Sequence, residues 1–194
     1  MASEGVLNLA NTSLWAKAPD EYVTGNNYSE FAQEFAKHFK VLEVQANSSI
    51  MGEMNYKRLN GKTWESAGAY GVSYFHFADG STIYVQAYKP IQSTVPVDEI
   101  KKQGGKFYER LGVIFVDTNG DQGPNMLGRD LFQFMIGQDG NLYPAGGKDT
   151  MYYTGLDYYN WDNSNKVYGC KTDGDFFGQG CAGRIIEEGW QMNY

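Results

Sequence analysis

The chain has 194 residues and a formal net charge of −7, with 42% hydrophobic and 20% charged residues. That balance excludes a nucleic-acid groove, which needs a cationic face to displace counterions, and it argues against docking on anionic lipid. The length suffices for one domain with a real core, and no apolar run approaches the ~18 residues of a membrane-spanning helix.

Residues 3–15 carry a weak helical pattern, with Val6, Leu7, Ala10 and Leu14 roughly on one face. The start lacks a basic leader and a long apolar core, so no signal peptide is read there. The 15 Tyr and 24 Gly suit sheet and long ordered loops and resemble the surface of an exported protein. An exported body without an export signal predicts that the natural N-terminus lies upstream. "KAPDEYVTGNN" is loop. Ser29 is placed to cap "EFAQEFAKHFKVL", where Phe31, Phe35, Phe39 and Leu42 recur on one face as the clearest amphipathic helix. That stripe is core rather than a ligand box, and His38 lies off it, facing solvent.

From Gly71 the period changes to two. "VSYFHFADGSTIYVQAY" predicts strand, Asp-Gly turn, strand. His76 has no Ser, Cys or second His near it in sequence and reads as a strand-face residue rather than a base. "EIKKQGGKFYER" reads as a solvated face. "LGVIFVD" and "DLFQFMI" are buried strands, and "GQDGNLYP" turns into a short third piece, giving an antiparallel meander. Residues 145–180 show no clean period. "CAGRIIEEGW" predicts a short helix with Gly189 at its C-terminal cap. The expectation is a single α+β domain over 1–194. It comprises a helical region over 1–45 packed on an antiparallel sheet over 70–144, then a C-terminal loop and short helix over 145–194.

Between the two buried strands lies "VDTNGDQGPNMLGRD". Asp117, Asn119 and Asp121 offer oxygens at alternate positions, as a compact loop does around calcium. The carbonyl of Gly123 and the carboxylate of Asp130 could complete such a set. The spacing is not that of an EF-hand, since Gln122 and Gly128 stand where Gly and Glu are required. The alternative is a metal-free turn, because Asp and Asn bond their own backbone two residues on. Catalysis is not expected: two carboxylates in a polar glycine loop are ionised and wet, and no nucleophile, phosphate-loop or paired-His motif is present. Cys170 and Cys181 are spaced too widely for a CxxC pair and have no neighbouring His. They are either a disulfide, which would place the protein in an oxidising compartment, or two free thiols. "YYTGLDYYNWDN" supplies Tyr152, Tyr153, Tyr158, Tyr159 and Trp161, which either pack the loop on the sheet or offer aromatic planes to a glycan or protein.

Two blocks carry a family resemblance. They are "GVIFVDTNGDQGPNMLGRDLFQFMIGQDGNLYPAGG" and the terminal "GCAGRIIEEGWQMNY". With the "ADGS" hairpin and the aromatic helix before it, the order of features resembles type IV pilin-like proteins, or pseudopilins, related to type II secretion. Roughly the whole chain is covered. The resemblance implies an exported, surface-exposed structural subunit without catalysis. Its partners would be like subunits, met through an apolar N-terminal helix absent here, and a prepilin peptidase acting on the precursor. It implies a Cys170–Cys181 disulfide closing a C-terminal loop, and by position and chemistry only it adds weight to calcium at the Asp loop. The rival expectation is a secreted or surface-attached binding module, an adhesin for glycan or protein.

Overall fold

The computed structural model describes residues 29–65, 72–92, 109–137, 141–147, 161–162 and 165–194. In chain order the elements are α1 (Ser29–Ala36), β1 (Val41–Ser48), α2 (Ile50–Glu53), β2 (Val72–Phe77), β3 (Thr82–Gln92), β4 (Glu109–Asp117), β5 (Leu131–Gly137), β6 (Leu142–Pro144) and α3 (Cys181–Glu187). The strands form one six-stranded sheet in the order β1-β2-β3-β4-β5-β6. Each pairs antiparallel with the next in sequence.

This corrects the expected helical region packed on a sheet. Among the described residues the architecture is a six-stranded antiparallel meander with short helices. The periodic stretch from Ser29 gives only eight helical residues. Lys37, His38 and Phe39 then bond the carbonyls three residues back, a tightened turn that ends α1. Val41 to Ser48 becomes the first strand. Its pairing with β2 skips at Leu42, because Val41 faces Phe77 while Glu43 already faces His76. The bulge breaks the alternation that would betray a strand in sequence. It leaves Leu42, expected on the buried stripe, 69% exposed.

Both faces of the sheet are covered. Phe75, Val85, Ala87, Ile114 and Ile136 form one face and pack with Phe31, Ala32 and Phe35 of α1, so the Phe stripe is core as expected. On the other face, Tyr74, Tyr84 and Phe115 stand opposite one another across β2, β3 and β4. They are covered by Met51, Tyr56 and Trp64 from the segment after β1, and by Leu127. The β2–β3 hairpin forms as read: Gly80 takes φ +88 and Asp79 accepts hydrogen bonds from the Ser81 N–H and hydroxyl.

Candidate functional site

The Asp loop runs from the end of β4 to the start of β5 and is built by its own carboxylates. Asp117 is fully buried. Its Oδ1 accepts from the N–H groups of Asn119 (3.0 Å) and Gly120 (2.8 Å), and its Oδ2 accepts from the Tyr56 hydroxyl. Tyr56 in turn lies 2.9 Å from the Tyr84 hydroxyl. Burial pushes the Asp117 carboxyl above the usual carboxylate range, and the three donors only partly oppose it. Burial likewise drives both tyrosines well above the ordinary phenol range, so they stay protonated.

Asp130, 3% exposed, closes the far side of the loop. It accepts from the N–H groups of Asn125 (2.7 Å) and Met126 (2.6 Å), while the Thr118 N–H donates to its carbonyl (2.9 Å). Asn119 donates to the Gly123 carbonyl at 3.3 Å. Asp121 is exposed. Of the five expected calcium ligands, Asp117, Asp130 and Gly123 therefore already accept protein hydrogen bonds. Among the described residues no three His, Cys, Asp or Glu side chains group as a metal centre needs. What the arrangement does chemically is fix a turn, and the turn is stitched to the segment under the sheet. Asn125 accepts from the Lys57 N–H, Leu127 donates to the Lys57 carbonyl, and Asn125 donates to the Met54 carbonyl.

Cys170 and Cys181 form a disulfide and are fully buried. Around it the two blocks singled out in the sequence meet. A Cβ on Gly128 would fall 2.5 Å from the Cys181 sulfur, and one on Gly183 would run into the Gly147 backbone. Only glycine permits that approach. The Tyr194 hydroxyl donates to the Gly128 carbonyl (2.6 Å), and Arg129 donates to the Tyr194 backbone oxygen (2.5 Å). Burial pushes the Tyr194 phenol up to about 12.

Arg184, on α3, is the hub of this cap. Its guanidinium stacks 4.8 Å from the Trp161 ring and 4.9 Å from the Tyr194 ring. It donates to the Cys170 carbonyl (2.6 Å) and pairs with Glu188 (2.9 Å). Trp161 is half-buried, and its indole N–H donates to Glu187 at 3.0 Å. Tyr152, Tyr153, Tyr158 and Tyr159 lie outside the described residues, so of that expected ligand loop the structure places Trp161 alone. Beside it opens a groove of about 360 Å³ lined by the aromatics Trp161 and Tyr194. The cations Lys171 and Arg184, the carboxylates Asp162 and Asp173, and the neutral Thr172 and Asn193 also line it.

Sequence reasoning missed Tyr56 and Arg184. Tyr56 sits in a stretch without periodicity, 61 residues from Asp117. Arg184 lies in the short helix α3, where nothing local marks it for contacts with Trp161 and Tyr194. His76 lies on β2, as expected of a strand-face residue, with Nδ1 3.2 Å from the Thr82 hydroxyl. Comparison with protein-family models, curated proteins and solved structures gave no match.

Proposed function

We propose that the chain is the globular part of an exported structural subunit, pilin-like and acting without catalysis. Assembly with like subunits through an apolar N-terminal helix, and processing of a precursor by a prepilin peptidase, belong to the same proposal. The observation that supports it is the meeting of the two resembling blocks. Gly128 and Arg129 of the first lie against Cys181 and Tyr194 of the second. Arg129, Arg184 and Tyr194 of these blocks are engaged in holding one cap together, which is the chemistry of a scaffold. The test is to shear filaments from cells expressing the natural gene and search that fraction by mass spectrometry. The reading expects this chain there, with a peptidase-trimmed N-terminus. Recovery only from the cytosol overturns it.

A second reading, a surface-attached binding module, is favoured by the groove beside Trp161. The two are compatible, since a surface subunit can carry a ligand site.

A further inference from the structure

We propose that the groove beside the disulfide binds a neutral oligosaccharide, an inference that rests on the binding-module reading and names its ligand class and place. The volume of about 360 Å³ lies within the range of small-ligand sites. Both cations that line it are already compensated. Lys171 pairs with Asp162 at 3.0 Å, and Arg184 pairs with Glu188 at 2.9 Å while donating to the Cys170 carbonyl. Neither cation offers an anionic ligand an uncompensated charge. A phosphate, sulfate or acidic sugar would also meet Asp173.

What the groove does offer suits a ligand with many hydroxyls and one apolar face. The side chains of Thr172, Asp173 and Asn193 are exposed and make no hydrogen bond among the described residues. They supply a hydroxyl, a carboxylate and an amide, the mixed donors and acceptors that read sugar hydroxyls. The Trp161 indole packs on the disulfide cluster with the Arg184 guanidinium 4.8 Å from its ring, and the part that remains exposed supplies an apolar surface for the C–H groups of a pyranose. The walls are set before any ligand arrives. Trp161 is held by the Gly146 carbonyl, the Cys170 N–H and Glu187. Tyr194 is clamped by Arg129 and Gly128. A site fixed in advance loses little entropy on binding.

The experiment is a screen of the full chain against arrayed neutral and acidic oligosaccharides, followed by titration of the best neutral one. It uses the wild type, Asn193→Ala and Thr172→Ala/Asp173→Asn, with circular dichroism as a check of folding. These positions are exposed, so the variants fold. Trp161→Phe, which keeps a ring but loses the indole N–H, is the fourth sample. Binding of neutral sugars that survives high salt and weakens about tenfold or more in the groove variants is the expected result. Neutral sugars bound equally by wild type and variants overturn the groove while leaving a binding module standing. Binding only of acidic sugars, lost in salt, overturns the ligand class. Binding of no sugar overturns the inference and removes the support for the second reading, leaving the structural-subunit proposal to its own test.

Discussion

Asp117 shows how one buried carboxylate can build a turn. Its carboxylate takes three hydrogen bonds from Asn119, Gly120 and Tyr56 and sits beneath the sheet. Tyr56→Phe removes the donor that reaches Oδ2 and strands a buried oxygen. Chemical denaturation should show a loss of about 1–3 kcal/mol. Asp117 also ties stability to pH. Its pKa is raised in the fold, so the native state holds a proton more firmly than the unfolded chain does. The stability it contributes is full below the unfolded carboxylate value and is lost as pH rises through the folded one, at up to about 1.4 kcal/mol per pH unit. Asp117→Asn should flatten that part of a stability–pH curve relative to wild type. An unchanged slope would mean the carboxyl is not so perturbed. Calcium at about 1 mM, a level that fills extracellular calcium modules, should leave the melting temperature unmoved. The oxygens of Asp117 and Asp130 are already engaged by backbone N–H groups and Tyr56.

The elements differ in how far local sequence decides them. The β2–β3 hairpin could be read outright, because an Asp-Gly turn and period-two alternation are local signals that agree. The cap of α3 was equally open, with Gly189 at φ +74 just past Glu188. β1 was hidden, because a bulge at Leu42 cancels its alternation while the preceding Phe spacing continues to suggest helix. The Asp loop could be read as a turn from its Asx chemistry. Its partners, Tyr56 beneath and Tyr194 beyond, were not visible, since nothing local marks a residue for a contact 61 or 66 positions away. At this scale the sharpest test is Gly183→Ala. Its new Cβ would meet the Gly147 backbone, which cannot rotate aside as a side chain could. A loss of about 3 kcal/mol or more is expected, at the upper end of overpacking effects. Near-normal stability would mean that the α3–β6 junction yields.

At the scale of the whole molecule, the C-terminal third acts as a clamp on the sheet rather than a tail. Asp175 gathers Lys62 (3.2 Å), Lys166 (3.5 Å) and Arg58 (3.8 Å), joining the segment under the sheet to the disulfide loop. Arg58 also lies 4.0 Å over the Phe177 ring. The disulfide holds this assembly on α3. Mass spectrometry without reductant should find the protein two hydrogens light, and Cys170→Ser/Cys181→Ser should cost about 3 kcal/mol for a loop of this size. Free alkylation of both thiols in exported protein would contradict the structure.

The topology sets an order of assembly. Every ladder in the meander joins strands adjacent in sequence, so the sheet can zip up locally, with little chain to search. The clamp is the opposite: Asn60 waits for Asp175, 115 residues on, and Gly128 waits for Tyr194. A chain emerging N-terminus first can complete its ladders yet must leave Asn60, Gly128 and Arg129 without these partners until Asp175 and Tyr194 arrive. Until Asp175 and Tyr194 are in place, the meander stands as a paired sheet whose long-range clamp is still unmade.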